Sequence, residues 1–140
     1  MTPQQIALIQ TSFGAVLPIA GVAAELFYER LFQLDPTLRP LFRGDLKEQG
    51  RKLMSTLHLV VDGLERLDEL ILAVRSLGQR HATYGVRESH YATVGSALLW
   101  TLEQGLGQAF TPEVKEAWAA AYALLAETML AAAAARPRAA

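Results

Sequence analysis

Apolar residues recur at helical spacing along almost the whole chain. Between residues 46 and 64 they fall at Leu53, Leu57, Val60, Val61 and Leu64, which lie on one face of an α-helix. The strict alternation of apolar and polar residues that is typical of a half-buried strand is not found. The pattern therefore predicts an all-α fold of about six to eight packed helices.

Three helix-start signals divide the chain into helical segments. Thr2-Pro3, Asp35-Pro36 and Thr111-Pro112 each place a side-chain hydrogen-bond acceptor directly before a proline at the first helical position. The connections between the segments are short, as in one compact helical domain. We assign residues 1–135 to this single domain and expect residues 136–140 to form a frayed tail.

Composition excludes several classes of function. The 140 residues carry a net charge of −1 and no basic face, which gives no indication of binding to nucleic acid. The absence of cysteine excludes disulfides and thiolate-ligated metals, and it favours a cytoplasmic location. The most membrane-like segment is 117–135. Because it is alanine-rich and contains Glu127, we interpret it as a buried helix and expect no membrane span.

His81 is the most informative polar residue. Leu70, Val74 and Leu77 lie at helical spacing, and His81 follows four residues after Leu77, so the imidazole shares their apolar face. Gly85 then permits a sharp turn. A histidine in this position is either a core residue that is bonded to a backbone carbonyl or a ligand of a metal. The local pattern alone leaves both interpretations open.

Common catalytic motifs are missing. The chain has no glycine-rich phosphate loop, no Gly-x-Ser-x-Gly and no His-Glu-x-x-His. The charged run 65–69 is interpreted as a solvated corner, and His58, on the opposite side of its helix from Gln49, as a surface or core residue. The remaining candidates for chemistry are therefore His81 and the residues that the fold brings near it.

An ordered series of short motifs resembles a known family. The motifs are Leu26-Phe27-Tyr28, Leu41-Phe42, Gln49-Gly50-Arg51-Lys52-Leu53-Met54, Leu77-Gly78-Gln79-Arg80-His81, Tyr84-Gly85-Val86, Ser89-His90-Tyr91-Ala92-Thr93-Val94-Gly95 and Gly107-Gln108-Ala109-Phe110-Thr111-Pro112. Over residues 1–130 the series resembles the bacterial single-domain haem globins, including the Hell's Gate globin type, the globin domain of flavohaemoglobins and the neuroglobins. The resemblance implies a globin fold that surrounds a haem pocket, with haem b as the cofactor.

The resemblance implies a role for residues on the proximal side of the haem. His81 would be the iron ligand, and its other ring nitrogen would donate to a backbone carbonyl of its own helix. The apolar residues expected to contact the porphyrin are Phe42, Leu53, Leu77, Val86 and Val94. Lys52 and Arg80 would pair with its propionates or remain solvated surface charges.

One departure from the flavohaemoglobin pattern concerns the support of the proximal histidine. Tyr91 matches a tyrosine that, in that family, acts with a glutamate to increase electron donation by the histidine. The position of this glutamate falls near Ala133 here, and Glu127 lies about two turns too early to replace it. Strong activation of oxygen is therefore not expected.

On the distal side, the resemblance places Tyr28 and Gln49, with Leu53, next to the gas ligand. A phenol and an amide that donate to O₂ would each contribute roughly 1–2 kcal/mol, mainly by slowing dissociation. The leading hypothesis is therefore reversible, high-affinity binding of O₂ for storage or transport. The alternatives are an NO dioxygenase or nitrite reductase with an external reductase, a sensor of gases such as NO or CO, and a haem-free interaction module.

Overall fold

Six α-helices form the fold in the part of the chain that the computed structural model describes, residues 1–42 and 44–134. They are α1 (Pro3–Val16), α2 (Ala20–Leu34), α3 (Leu46–Gly63), α4 (Leu67–Thr83), α5 (Glu88–Leu106) and α6 (Pro112–Ala134). Short 3₁₀ helices occupy Leu17–Ile19, Pro36–Leu41, Leu64–Arg66 and Gly107–Ala109. No strand occurs within these residues, so the prediction of an all-α fold is confirmed. The predicted tail, 136–140, lies outside the described residues.

Local sequence explains where several helices begin. The Thr2 side chain accepts from the Gln5 amide, and Gln5 accepts in return, which completes a capping box. Asp35 accepts from the Thr37 amide at the start of the short helix Pro36–Leu41. Pro18 lies in a 3₁₀ turn between α1 and α2. The helix that carries His81 continues past Leu77 to Thr83, so His81 lies within its last two turns.

The helices pack around one apolar core. α6 packs against α1 and α4, and α2 packs against α3 and α5. α6 is buried along one face only, and Ala119, Ala123 and Glu127 are exposed. By length and composition, Pro3–Leu34 and Pro112–Ala134 are apolar enough to cross a membrane. Core helices of globular proteins are often equally long and apolar, and the first stretch is interrupted at Pro18. Length and composition therefore do not decide between a core helix and a membrane span. The absence of a membrane span stays a prediction.

A buried hydrogen bond joins the first and last helices. Trp118 Nε1 on α6 donates to Ser12 Oγ on α1 over 2.9 Å, and the Ser12 hydroxyl donates to the Leu8 carbonyl. The ring of Phe13 packs against the indole at 6.2 Å. Ser12 is thus a polar residue in the core because it satisfies a buried indole N–H.

We expect Ser12→Ala to lower the free energy of unfolding by about 1–3 kcal/mol, because it leaves the Trp118 N–H buried without an acceptor. Urea unfolding measures the change. Thr11→Ala, on the exposed side of the same helix, is the control. Equal stability of the two variants would contradict the role of this bond.

Candidate functional site

His81 is held by its own helix. Its Nδ1 lies 2.9 Å from the Leu77 carbonyl. Because a carbonyl can only accept, Nδ1 must carry the proton, and the lone pair of the neutral ring is on Nε2. The expectation that one ring nitrogen donates to a backbone carbonyl is confirmed. The two interpretations of His81 are thus compatible, since the bond to Leu77 leaves Nε2 as a ligand atom.

The environment of His81 favours the neutral imidazole. Burial lowers the pKa of His81 below its usual 6.5, the hydrogen bond with the Leu77 carbonyl opposes this shift, and the charge of Arg80 adds to it. A neutral imidazole is the form that ligates a metal. The state of the side chain therefore matches its expected role as an iron ligand.

A tight turn follows the proximal helix. Gly85 has a φ of +88°, which favours glycine. The Val86 amide donates to the His81 carbonyl over 3.1 Å, which fixes Val86 beside the end of α4. A side chain at Gly85 would lie 3.9 Å from Leu41, so the turn is close to the segment that precedes Phe42.

Phe42 and Tyr28 belong to one aromatic cluster. The ring of Tyr28 lies edge-on to Phe42 at 5.3 Å and to Phe27 at 5.2 Å, and Phe32 completes the cluster. Phe42 is half-buried, as expected for a loop aromatic that enters the interior. The loop 41–42 therefore connects the neighbourhood of Tyr28 to the turn after His81.

The start of α3 packs against α2 beside Tyr28. Gly50 lies at the crossing of α2 and α3, where an added Cβ would be 2.9 Å from Ala24 Cβ and 3.9 Å from the Tyr28 ring. Gln49, the preceding residue, is half-buried at this crossing. The structure therefore brings the segment with Gln49 to Tyr28, as the sequence motifs predict.

Tyr28 is a buried phenol with 6% of its surface exposed. Burial raises the pKa of Tyr28 to about 12. The hydroxyl therefore stays protonated at neutral pH and can donate a hydrogen bond. Leu53 lines a small apolar pocket with Phe27, Leu57 and Leu98.

The apolar residues expected to contact the cofactor share one property. They are only half-buried, although they pack against the fully buried core: Phe42, Leu53, Leu77, Val86 and Val94. Half-buried apolar side chains on three helices and two connecting segments are compatible with a site for a flat apolar group such as a porphyrin. Lys52 and Arg80 are exposed, as solvated charges or partners of propionates would be.

Tyr91 is buried. The hydrogen bond at this residue is formed by its backbone carbonyl, and the partner is Tyr122, not His81. The Tyr122 hydroxyl donates to the Tyr91 backbone carbonyl over 2.5 Å. An added Cβ at Gly95 would be 2.7 Å from the Tyr122 ring, so this glycine leaves room for the tyrosine. Sequence reasoning gave Tyr122 no role in the site, although a glycine in a helix interior is a signal of close approach.

The other candidate groups lie outside this arrangement. His58 is exposed and pairs with Asp62 over 3.2 Å, as expected for a residue that faces away from Gln49. The four charged residues of the run 65–69 are exposed, as expected for a solvated corner, and Arg66 pairs with Glu69. Ala133, near the position of the flavohaemoglobin glutamate, is half-buried, and Glu127 is exposed.

Comparison with known proteins agrees with this geometry. A family model described as Globin matches residues 25–129, from α2 into α6. The chain belongs to the globin family. The matched region of this globin contains His81, Tyr28, Gln49 and the aromatic loop at Phe42.

The relatives of this globin include longer proteins. It is 32% identical over 133 residues to the flavohemoprotein of Bordetella pertussis, an alignment that covers 93% of this chain and 33% of the relative. It is 28% identical over 133 residues to the flavohemoprotein of Vibrio cholerae, covering 93% of this chain and 34% of the relative. The chain thus spans about a third of the length of these relatives.

The lowered pKa of His81 predicts how pH affects the stability of the globin without cofactor. The unfolded chain takes up a proton at His81 near pH 6.5, and the folded form does so only at lower pH. In this window the unfolded chain binds more protons, so stability falls as the pH is lowered from about 6.5. His81→Gln should lose this dependence, as measured by urea unfolding from pH 5 to 7. An unchanged dependence in the variant would contradict the lowered pKa.

Proposed function

We propose that this globin holds haem b through His81 and binds O₂ reversibly and tightly. The single observation that carries the proposal is the His81 ring, which is anchored to the Leu77 carbonyl through Nδ1, so that Nε2 is the nitrogen left to ligate a metal. Membership of the globin family and relatives that are named flavohemoproteins support haem as the group that fills this region.

Haem supplies an iron whose open position binds a diatomic gas. His81 would ligate the iron through Nε2, and its bond to the Leu77 carbonyl restrains the orientation of the ring. Phe42, Leu53, Val86 and Val94 would contact the porphyrin and help to exclude water. Lys52 and Arg80 lie at the surface, where they are able to pair with the propionates.

The distal residues provide the preference for O₂. Bound O₂ attracts hydrogen-bond donors because it carries partial negative charge, whereas CO does so much less. Tyr28 is suited to this role because its raised pKa keeps the phenol protonated and the aromatic cluster fixes its ring. Gln49, on the segment that packs against Tyr28, supplies an amide as the second donor.

Storage or transport of O₂ is the function that this arrangement supports best. Turnover of NO or nitrite needs a reductase, and the structure offers no specific observation in favour of it, since Ala133 stands near the position of the glutamate and Glu127 is exposed. These activities, gas sensing and the cytoplasmic location stay predictions.

His81→Ala should abolish stable binding of haem, because the side chain that ligates the iron is removed. The measurement is the Soret absorption of the purified protein after addition of hemin. His58→Ala, which removes the surface histidine paired with Asp62, is the matched control and should retain the wild-type spectrum. A wild-type Soret band in His81→Ala would refute the assignment of the ligand.

Tyr28→Phe should accelerate dissociation of O₂ about tenfold, the effect of losing one hydrogen bond worth about 1.4 kcal/mol. Dissociation of CO should change much less. Stopped-flow replacement of O₂ by CO measures the rate. Tyr84→Phe, at a tyrosine that is 67% exposed, is the control. An O₂ dissociation rate that is unaltered in Tyr28→Phe would show that the phenol does not stabilise the ligand.

A further inference from the structure

Gly78 occupies a position that is unfavourable for glycine unless space is limiting. It lies in the interior of α4, three residues before His81, and is buried. Glycine in a helix interior costs about 1 kcal/mol relative to alanine. The glycines with positive φ are Gly44, Gly85 and Gly107, so the backbone conformation does not require a glycine at position 78. The requirement must come from its surroundings.

The backbone of α6 fills the space that a side chain at Gly78 would need. An added Cβ would lie 2.5 Å from the Met129 carbonyl oxygen, 2.6 Å from its Cα and 2.9 Å from its carbonyl carbon. At Gly50 and Gly95 the nearest atoms belong to side chains instead. A helix backbone cannot rotate away as a side chain can, so any group larger than hydrogen at position 78 must displace one helix from the other.

A displacement of α4 would carry His81 with it. His81 lies one turn beyond Gly78, and Leu77, whose carbonyl holds the imidazole, is the neighbour of Gly78. Extending the contact from 2.5 Å to the 3.4 Å of ordinary contact requires a movement of about 0.9 Å. Metal–ligand distances are held within about 0.2 Å. A movement of this size in α4 would therefore exceed the tolerance of a bond between His81 and the iron.

We propose that Gly78 is a positioning residue that sets where His81 meets the haem iron, through direct contact between the backbones of α4 and α6. The proposal rests on the proposed function, since it concerns the ligand of the same haem. It assigns to Gly78 a role that the motif Leu77-Gly78-Gln79-Arg80-His81 does not reveal without the position of Met129.

The test is Gly78→Ala in the haem-loaded protein. We expect a shift of the iron–histidine stretching band in the resonance Raman spectrum of the ferrous protein without gas, and loss of haem to an acceptor about tenfold faster than in the wild type. An unchanged band together with an unchanged rate of haem loss would overturn the proposal. Failure of the wild type itself to bind haem would instead refute the proposed function.

Two alanine variants are matched controls. Gly14→Ala places a methyl group in α1 where no described atom lies within 4 Å, and Gly50→Ala creates a 2.9 Å contact at the crossing of α2 and α3. Both should keep the wild-type iron–histidine band. An equal shift in Gly50→Ala would mean that crowding anywhere in the fold moves His81, which would overturn the specific role of Gly78.

Two further measurements separate backbone contact from side-chain packing. Met129→Ala in the Gly78→Ala background should not restore the band, because the atoms in contact belong to the backbone of Met129; restoration would overturn the proposal. If Gly78→Ala does not fold, NMR of the wild type decides. A nuclear Overhauser effect between the Hα protons of Gly78 and Met129 supports the contact, and its absence refutes it.

Discussion

The hydrogen bond from His81 Nδ1 to the Leu77 carbonyl determines what the site is able to bind. It fixes the tautomer and places the lone pair of the ring on Nε2. The bond depends in turn on α4 remaining helical to Thr83, because the spacing of four residues brings the ring to the carbonyl only in a helix. Burial adds a second condition, since it lowers the pKa of His81 and keeps the ring neutral.

The distal side follows a different physical principle. The orientation of the Tyr28 ring is not set within one helix. It depends on aromatic contacts with Phe27 on α2 and with Phe42, which follows the short helix after α2. The close crossing of α2 and α3 at Gly50 adds the segment that carries Gln49. One side of the site thus depends on a hydrogen bond within a helix, and the other on packing between segments.

Local features of the site were predictable from sequence, whereas contacts between distant segments were not. The anchoring of His81 follows from helical spacing, and the turn at Gly85 follows from the residue type. The assignment of Tyr28 and Phe42 to one site came from the family resemblance, because no periodicity relates residues on different segments. The bond from Tyr122 to the Tyr91 carbonyl and the contact of Gly78 with Met129 depend on how α6 crosses its neighbours. Glycine in a helix interior signals that something approaches, but not which residue.

Partial burial of Phe42, Leu53, Leu77, Val86 and Val94 has a consequence for a protein that would need a bound group to cover them. A group that binds only the folded chain stabilises it by mass action, and without that group these side chains remain partly in water. The unfolded fraction, which is the substrate of proteases and of aggregation, then rises when the group is scarce. The supply of porphyrin would in this way regulate the abundance of the protein without any change in its synthesis.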